Sequence, residues 1–173
     1  MEERGALEVD LCNRLIQAIN GHDADELADL LGSEYVDVDL TRSRVSSDAS
    51  SFLGTVSAIL DAFPDASIRA CIAYVRDSRV GIYWIVAATQ TARVLGVPPT
   101  HRKVRFCGFT TLTIRRGKFS HGLHLWDLAG LLRDLRLVAD LTEEPERFDP
   151  EADLFPLLDK TDGCVTVPME DRA

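Results

Sequence analysis

Residues 67–128 read SIRACIAYVRDSRVGIYWIVAATQTARVLGVPPTHRKVRFCGFTTLTIRRGKFSHGLHLWDL. Val, Ile, Thr and aromatic residues dominate this stretch, and short turn signals divide it. The breaks are Asp77-Ser78, Gly96-Val97-Pro98-Pro99-Thr100 and Arg116-Gly117, which predicts strands at Ser67–Arg76, Arg79–Leu95, Lys103–Arg115 and Lys118–Leu128. Four successive strands with short links make an antiparallel meander.

Upstream the periodicity changes to helical. Leu7, Leu11, Leu15, Ile16 and Ile19 fall on one face of a first helix that Asn20-Gly21 ends. A second follows, capped by Asp23 or Asp25, with Leu27, Leu30 and Leu31 inward and Gly32 as its stop before an extended Tyr35–Leu40. Thr41–Ser51 is polar and aperiodic, which reads as a flexible loop or lid. Phe52–Ala62 is a third helix, stopped by Pro64, and Leu131–Leu141 a last short one. Helices followed by a meander place the chain in the α+β class.

The length of 173 residues suits one domain with an appendage. A net charge of −9 argues against nucleic acid and against an anionic membrane surface as partners. That charge is unevenly spread. Residues 140–173 carry 11 acidic and 3 basic side chains, whereas no acidic residue occurs between Asp77 and Asp127. We therefore expect a pocket domain at 1–139 and an acidic C-terminal extension at 140–173. The extension's apolar island, Leu154–Leu158, is expected to anchor it against the basic strip from Arg93 to Lys118. Cys12, Cys71, Cys107 and Cys164 show neither paired spacing nor a histidine at ligand distance, so buried free thiols are expected, with no metal. The start MEERGALEVD is too charged for a signal peptide, and no apolar run reaches ~20 residues, which points to the cytoplasm.

Three motifs occur in order. Trp84 to Val104, WIVAATQTARVLGVPPTHRKV, resembles the W…GTHTG…GxPPTGRxV segment of the SnoaL-like polyketide cyclases, which are nuclear-transport-factor-2-like proteins. Ala62-Phe63-Pro64-Asp65 resembles their AFPD, and GKFSHGLHLWDLAGLLRDL from Gly117 their GKIxEHWxxxDxxGLLxQL. The resemblance implies a cystatin-like α+β barrel, in which a cone-shaped, curved antiparallel β-sheet packs against N-terminal helices around an apolar pocket. It also implies a homodimer formed through the outer sheet face. The fold hosts many activities, so function rests on the pocket.

The resemblance makes Asp127 the general acid and base of an intramolecular aldol closure. A carboxylate among Leu123, Leu125, Trp126 and Leu128 would lose solvation and become a competent base. Asp127 equally suits the N-cap of a helix starting near Ala129. Gln90 and Thr113 replace ionisable residues of the family, and with Thr111 they would hold a substrate carbonyl without moving protons. The face that Thr111 and Thr113 occupy depends on the turn at Arg116-Gly117. His121 stands where the family has Glu and shares a face with Asp127 by parity, as a second acid/base or a structural residue. His124 then falls on the opposite, solvated or dimeric face, and His22 and His101 are expected to be exposed. Trp84, Tyr35, Phe52, Phe63 and Phe109 would wall a pocket for a flat hydrophobic molecule. Asp37 and Asp39 share one strand face, which suits either paired carboxylates or a solvated strand end.

The expected activity is therefore that of a cofactor-independent cyclase or isomerase (a lyase in its broadest class) of secondary metabolism, such as antibiotic biosynthesis, acting on a carbonyl-rich, polyketide-like small molecule. The alternatives are a non-catalytic binding or partner-regulating module and an epoxide hydrolase or dehydratase. The latter wants an Asp, Arg, Asp set whose hairpin Arg is replaced by Thr113.

Overall fold

The meander forms with its turns where the sequence sets them. In the computed structural model, which describes residues 2–46, 48–139, 152 and 165–167, the four strands are β3 (Ser67–Arg76), β4 (Arg79–Thr89), β5 (Lys103–Arg115) and β6 (Lys118–Trp126). Asp77 and Ser78 both take left-handed backbone angles (φ 52° and 59°), as do Arg116 and Gly117 (φ 53° and 73°). Two such residues in succession match the twist of the strands they join. β4 stops at Thr89, six residues short of Leu95, because the backbone of Gln90 leaves the ladder to bond Arg102 and His101.

Helix α1 (Glu2–Gly21) leads into α2 (Ala24–Leu30), where Asp23 accepts a 2.9 Å hydrogen bond from the Glu26 N–H as N-cap. The chain passes directly from Leu30 into β1 (Leu31–Asp39), so Gly32 lies in a strand and does not terminate the helix. Strand pairing prevails there: Leu31 registers with Phe119, and a Cβ on Gly32 would come within 3.3 Å of the Phe119 carbonyl. Thr41–Ser51, expected as a loop or lid, contains β2 (Arg44–Ser46), which pairs with β1, and the start of α3 (Ala49–Ala62), capped by Asp48. Helix α4 (Leu128–Asp134) begins three residues early at the Asp127 cap, and Arg136 turns left-handed (φ 57°) beyond it.

The sheet order is β2-β1-β6-β5-β4-β3-β7. β1 lies parallel to β6, so the curved sheet is mixed and not wholly antiparallel. Helices cover one face, which we call inner. Leu11, Cys12 and Ile16 of α1 pack there on Ala70, Ile72, Val80, Ile82, Leu112 and Ile114. A second cluster joins Ala62 and Phe63 to Val86, Val104, Leu131 and Leu135. Each fully buried aliphatic side chain contributes about 1.5–3 kcal/mol, enough to fix which face of each strand turns inward. Burial pushes the Cys12 thiol up to about 12, with the charge of Glu8 adding to it, so it stays protonated.

β7 (Val165–Val167) pairs antiparallel with Ala70–Ile72 of β3. Leu154–Leu158, the expected anchor of the extension, lies outside the described residues. Cys12 and Cys107 are free, but Cys71 is disulfide-bonded, which corrects the expectation of thiols throughout. No described helix is long and apolar enough to cross a membrane.

An ion pair in the turn after β1 and an indole hydrogen bond from the end of β6 meet at one carboxylate. The Asp39 carboxylate is buried, which disfavours its charge, yet its pKa lies below the usual range. Hydrogen bonds outweigh desolvation: the Arg42 N–H donates at 3.0 Å, the Arg42 guanidinium at 2.5 Å and the Trp126 indole at 3.1 Å. Asp39→Asn is expected to lower stability at pH 7 by about 1.5–3 kcal/mol, measured by urea unfolding. Because the folded pKa is depressed, that difference is complete above the ordinary carboxylate range. It shrinks as pH falls through the depressed value.

Candidate active site

The polar side chains on the inner face owe their position to the β5–β6 register. A two-residue turn pairs Arg115 with Lys118 and Ile114 with Phe119, but the next pair is Thr113 with His121. Ser120 is the extra residue of a bulge, and its hydroxyl donates to the Thr113 carbonyl at 3.2 Å. Beyond it, Gly122, His124 and Trp126 face inward, while His121, Leu123 and Leu125 face outward. On β1, the buried residues Tyr35, Asp37 and Asp39 face inward.

These strands assemble a hydrogen-bonded chain. The Tyr35 hydroxyl donates to Asp37 Oδ1 at 2.9 Å, and His124 Nε2 meets the same oxygen at 2.5 Å. On the other side of the ring, His124 Nδ1 lies 2.8 Å from Thr110 Oγ1, which accepts from the Trp84 indole at 2.8 Å. An indole N–H can only donate, so the neutral arrangement that satisfies every group has Thr110 donating to Nδ1 and Nε2–H donating to Asp37. Phe52 of α3 stacks on His124 with 12° between the rings and touches Tyr35 at 5.1 Å between centroids. Burial, then the charge of Asp37 and the bond to it, push the Tyr35 pKa far up, so it remains a donor. Asp37 Oδ2 has no hydrogen-bond partner among the described residues.

Gly122 makes the arrangement sterically feasible. A Cβ there would lie 2.2 Å from the Tyr35 hydroxyl, 2.7 Å from Asp37 Oδ1 and 2.9 Å from His124 Nε2. The surroundings are aromatic: Trp84, Phe106, Trp126 and Phe52 pack against the core and are each half-buried, as is most of the inward side of α3.

The expected site residues are distributed over four places. Trp84, Tyr35 and Phe52 belong to the inner cluster, and Phe63 is core beneath it. Thr111, Thr113 and His121 come together, but on the outer face, where Phe109 packs with Tyr74. Gln90 is fully buried and organises the loop at 91–102. Its Nε2 donates to the carbonyls of Ala92 and Pro98 at 3.2 and 3.1 Å, and its Oε1 accepts from the Thr100 hydroxyl and N–H at 2.6 and 3.1 Å.

Asp127 accepts from the Gly130 N–H at 2.7 Å as the N-cap of α4, has Arg133 at 3.8 Å and is 43% exposed. Its charge is among those that raise the pKa of Tyr83 on the outer face, after burial and the bond to Cys107. His124, expected on the solvated face, is a member of the inner chain. The parity rule that placed it outside holds only for an unbulged hairpin.

A family model described as SnoaL-like polyketide cyclase matches residues 9–135. Among solved structures, AclR of Streptomyces galilaeus, a proposed hydroxylase, superposes with a TM-score of 0.71 at 21% identity, covering 80% of this chain and 90% of its own. TsrD of Streptomyces laurentii gives 0.68 at 20% identity over 77% and 97% of the two chains. A SnoaL-like polyketide cyclase of Agrobacterium tumefaciens gives 0.61 at 17% over 74% and 97%. At these identities the likeness is one of fold. No curated protein matches the chain.

Gly122→Ala is expected to destabilise the fold by about 1–3 kcal/mol through overpacking. It should also alter the imidazole nitrogen shifts of His124 in NMR spectra. Unchanged shifts would contradict the close approach.

Proposed function

This chain belongs to the family of SnoaL-like polyketide cyclases, and we propose that it acts as a cofactor-independent cyclase or isomerase of secondary metabolism, with Asp37 as its proton-transfer residue. Family and fold support a polyketide-cyclase type of role. The observation that favours Asp37 is its asymmetric bonding: Oδ1 is held by Tyr35 and His124, and Oδ2 has no hydrogen-bond partner among the described residues.

In this reading a flat, carbonyl-bearing substrate enters beside Phe52, Trp84 and Trp126. Asp37 Oδ2 takes a proton from carbon next to a carbonyl, and the resulting enolate attacks a second carbonyl of the same molecule. One C–C bond forms, and the proton held on Asp37 passes to the new alkoxide oxygen. His124, Thr110 and Trp84 are positioning residues that fix the carboxylate. Proximity and proton transfer in a partly dehydrated site supply the rate. We further place a homodimer contact at Leu125, which is 58% exposed on the outer side of β6.

A second reading, a non-catalytic binding module, is favoured by the completeness of the chain from Trp84 to Tyr35, where only one carboxylate oxygen is left over. Exchange of the α-protons of 2-tetralone for deuterium, followed by NMR, separates the readings. Wild-type protein should accelerate exchange, and Asp37→Asn should lower that rate about a hundredfold or more. Asp127→Asn should retain it, since Asn caps a helix as well as Asp does. The reverse pattern would move the role to Asp127, and a wild-type rate no faster than buffer would favour the binding module.

A further inference from the structure

Cys71 stands on the side of β3 opposite Ala70 and Ile72, fully buried beside Tyr83 and Ile85 of β4. It is disulfide-bonded, whereas Cys12 and Cys107 are free. The sequence holds four cysteines, so the partner within the chain is Cys164. Cys164 immediately precedes Val165, and Val165 registers with Ile72, the residue after Cys71. The pairing of β7 with β3 therefore carries the chain past Cys71 at the point where a second cysteine occurs.

The strand next to this bond is short. β7 spans Val165–Val167 against Ala70–Ile72, and 30 residues separate it from the end of α4 at Asp134. Directly after Ile72 the edge of β3 becomes irregular: Ala73 is the extra residue of a bulge between the pairs Ile72–Ile82 and Tyr74–Gly81. The hydrogen bonds of so short a strand do little more than offset the freedom lost in ordering it and in bridging the long connection from α4. A covalent bond changes that balance. It restricts the chain before β7 forms, and the loop of about 90 residues from Cys71 to Cys164 is long enough for the effect to be large. β7 in turn covers the edge of β3, the last strand of the meander in the sheet order, which would otherwise present a row of unpaired N–H and C=O groups.

We infer that Cys71 and Cys164 form a redox-reversible crosslink, whose disulfide fastens the C-terminal extension to the sheet edge and whose reduction releases β7 from β3. The reductant is a dithiol. Because Cys71 is fully buried, the incoming thiolate attacks the sulfur of Cys164, and the S–S bond breaks with its electron pair on the Cys71 sulfur, which takes up a proton. The second thiolate of the reductant attacks the mixed disulfide, forms the reductant's own disulfide and leaves Cys164 as a thiol. Two electrons pass from the dithiol to the protein, and the two protons the dithiol gives up end on the cysteine sulfurs. Exchange with a low-molecular-weight disulfide runs the same steps in reverse. The attachment of the extension thus follows the thiol–disulfide balance around the protein. It is independent of the chemistry proposed for Asp37.

The test uses the full-length protein, oxidised with glutathione disulfide and then reduced with dithiothreitol. In the oxidised monomer, peptide mapping by mass spectrometry should find Cys71 joined to Cys164, and thiol titration in denaturant should rise from two to four per chain on reduction. Hydrogen exchange at Val165–Val167 should accelerate about tenfold or more on reduction, while exchange at Val80 and Leu112, inside the sheet, changes by less than about twofold. Cys164→Ser should show the fast exchange without reductant and no response to it, and Cys107→Ser should behave as wild type. A bond from Cys71 to Cys12, to Cys107 or to a second copy of the chain, four thiols after oxidation, or exchange at β7 that ignores reduction would each overturn the inference.

Discussion

The single extra residue at Ser120 determines what each face of β6 presents. Side chains alternate along a strand, so inserting one residue exchanges the two faces for everything that follows. Without the bulge, His121, Leu123 and Leu125 would point at the helices and His124 at solvent. With it, two leucines are 42% and 58% exposed, and a histidine occupies the interior. Leaving those leucines outside forgoes a few kcal/mol of burial. The hydrogen-bonded chain that His124 completes, and the apolar ground it leaves on the outer face, are what the register gains in exchange.

Burying Asp37 sets a further requirement. An isolated carboxylate taken out of water costs several kcal/mol, whereas hydrogen bonds to a charged group return about 1.5–3 kcal/mol each. Two donors on Oδ1 therefore offset much of the penalty without saturating the group. Tyr35 is held two residues away on the same strand face and His124 on the neighbouring strand, so both donors are fixed by backbone pairing and not by flexible side chains. Phe52 then limits the motion of both rings.

Much of the architecture was legible in the sequence because it depends on local signals. Turn residues at Asp77-Ser78 and Arg116-Gly117 marked four strand boundaries correctly, and the spacing of Leu11, Ile16, Leu27 and Leu30 marked the buried sides of two helices. The last helix and the end of β4 were misjudged, since the Asp127 cap and the backbone bonds of Gln90 compete with periodicity there. The site was less legible. Tyr35, Trp84 and Phe52 were identified as aromatic walls, and Asp37 with Asp39 as one-sided carboxylates. The partner that unites them, His124, was assigned to the wrong face. A bulge leaves no compositional mark: serine follows phenylalanine in β6 as it would in any strand. Nor does the sequence reveal that β1 pairs parallel with β6, which is what brings Asp37 beside Gly122.

Gly122 shows how little material separates the two polar systems. Its missing side chain admits the Tyr35 hydroxyl and Asp37 Oδ1 on the inner side, and its backbone borders the outer group of Thr111, Thr113 and His121. A strand only one residue thick transmits displacement directly, because its neighbours on both faces are in van der Waals contact with the same atoms. The register that brings His124 to the inner carboxylate thus also sets which side chains of β6 the outer face presents.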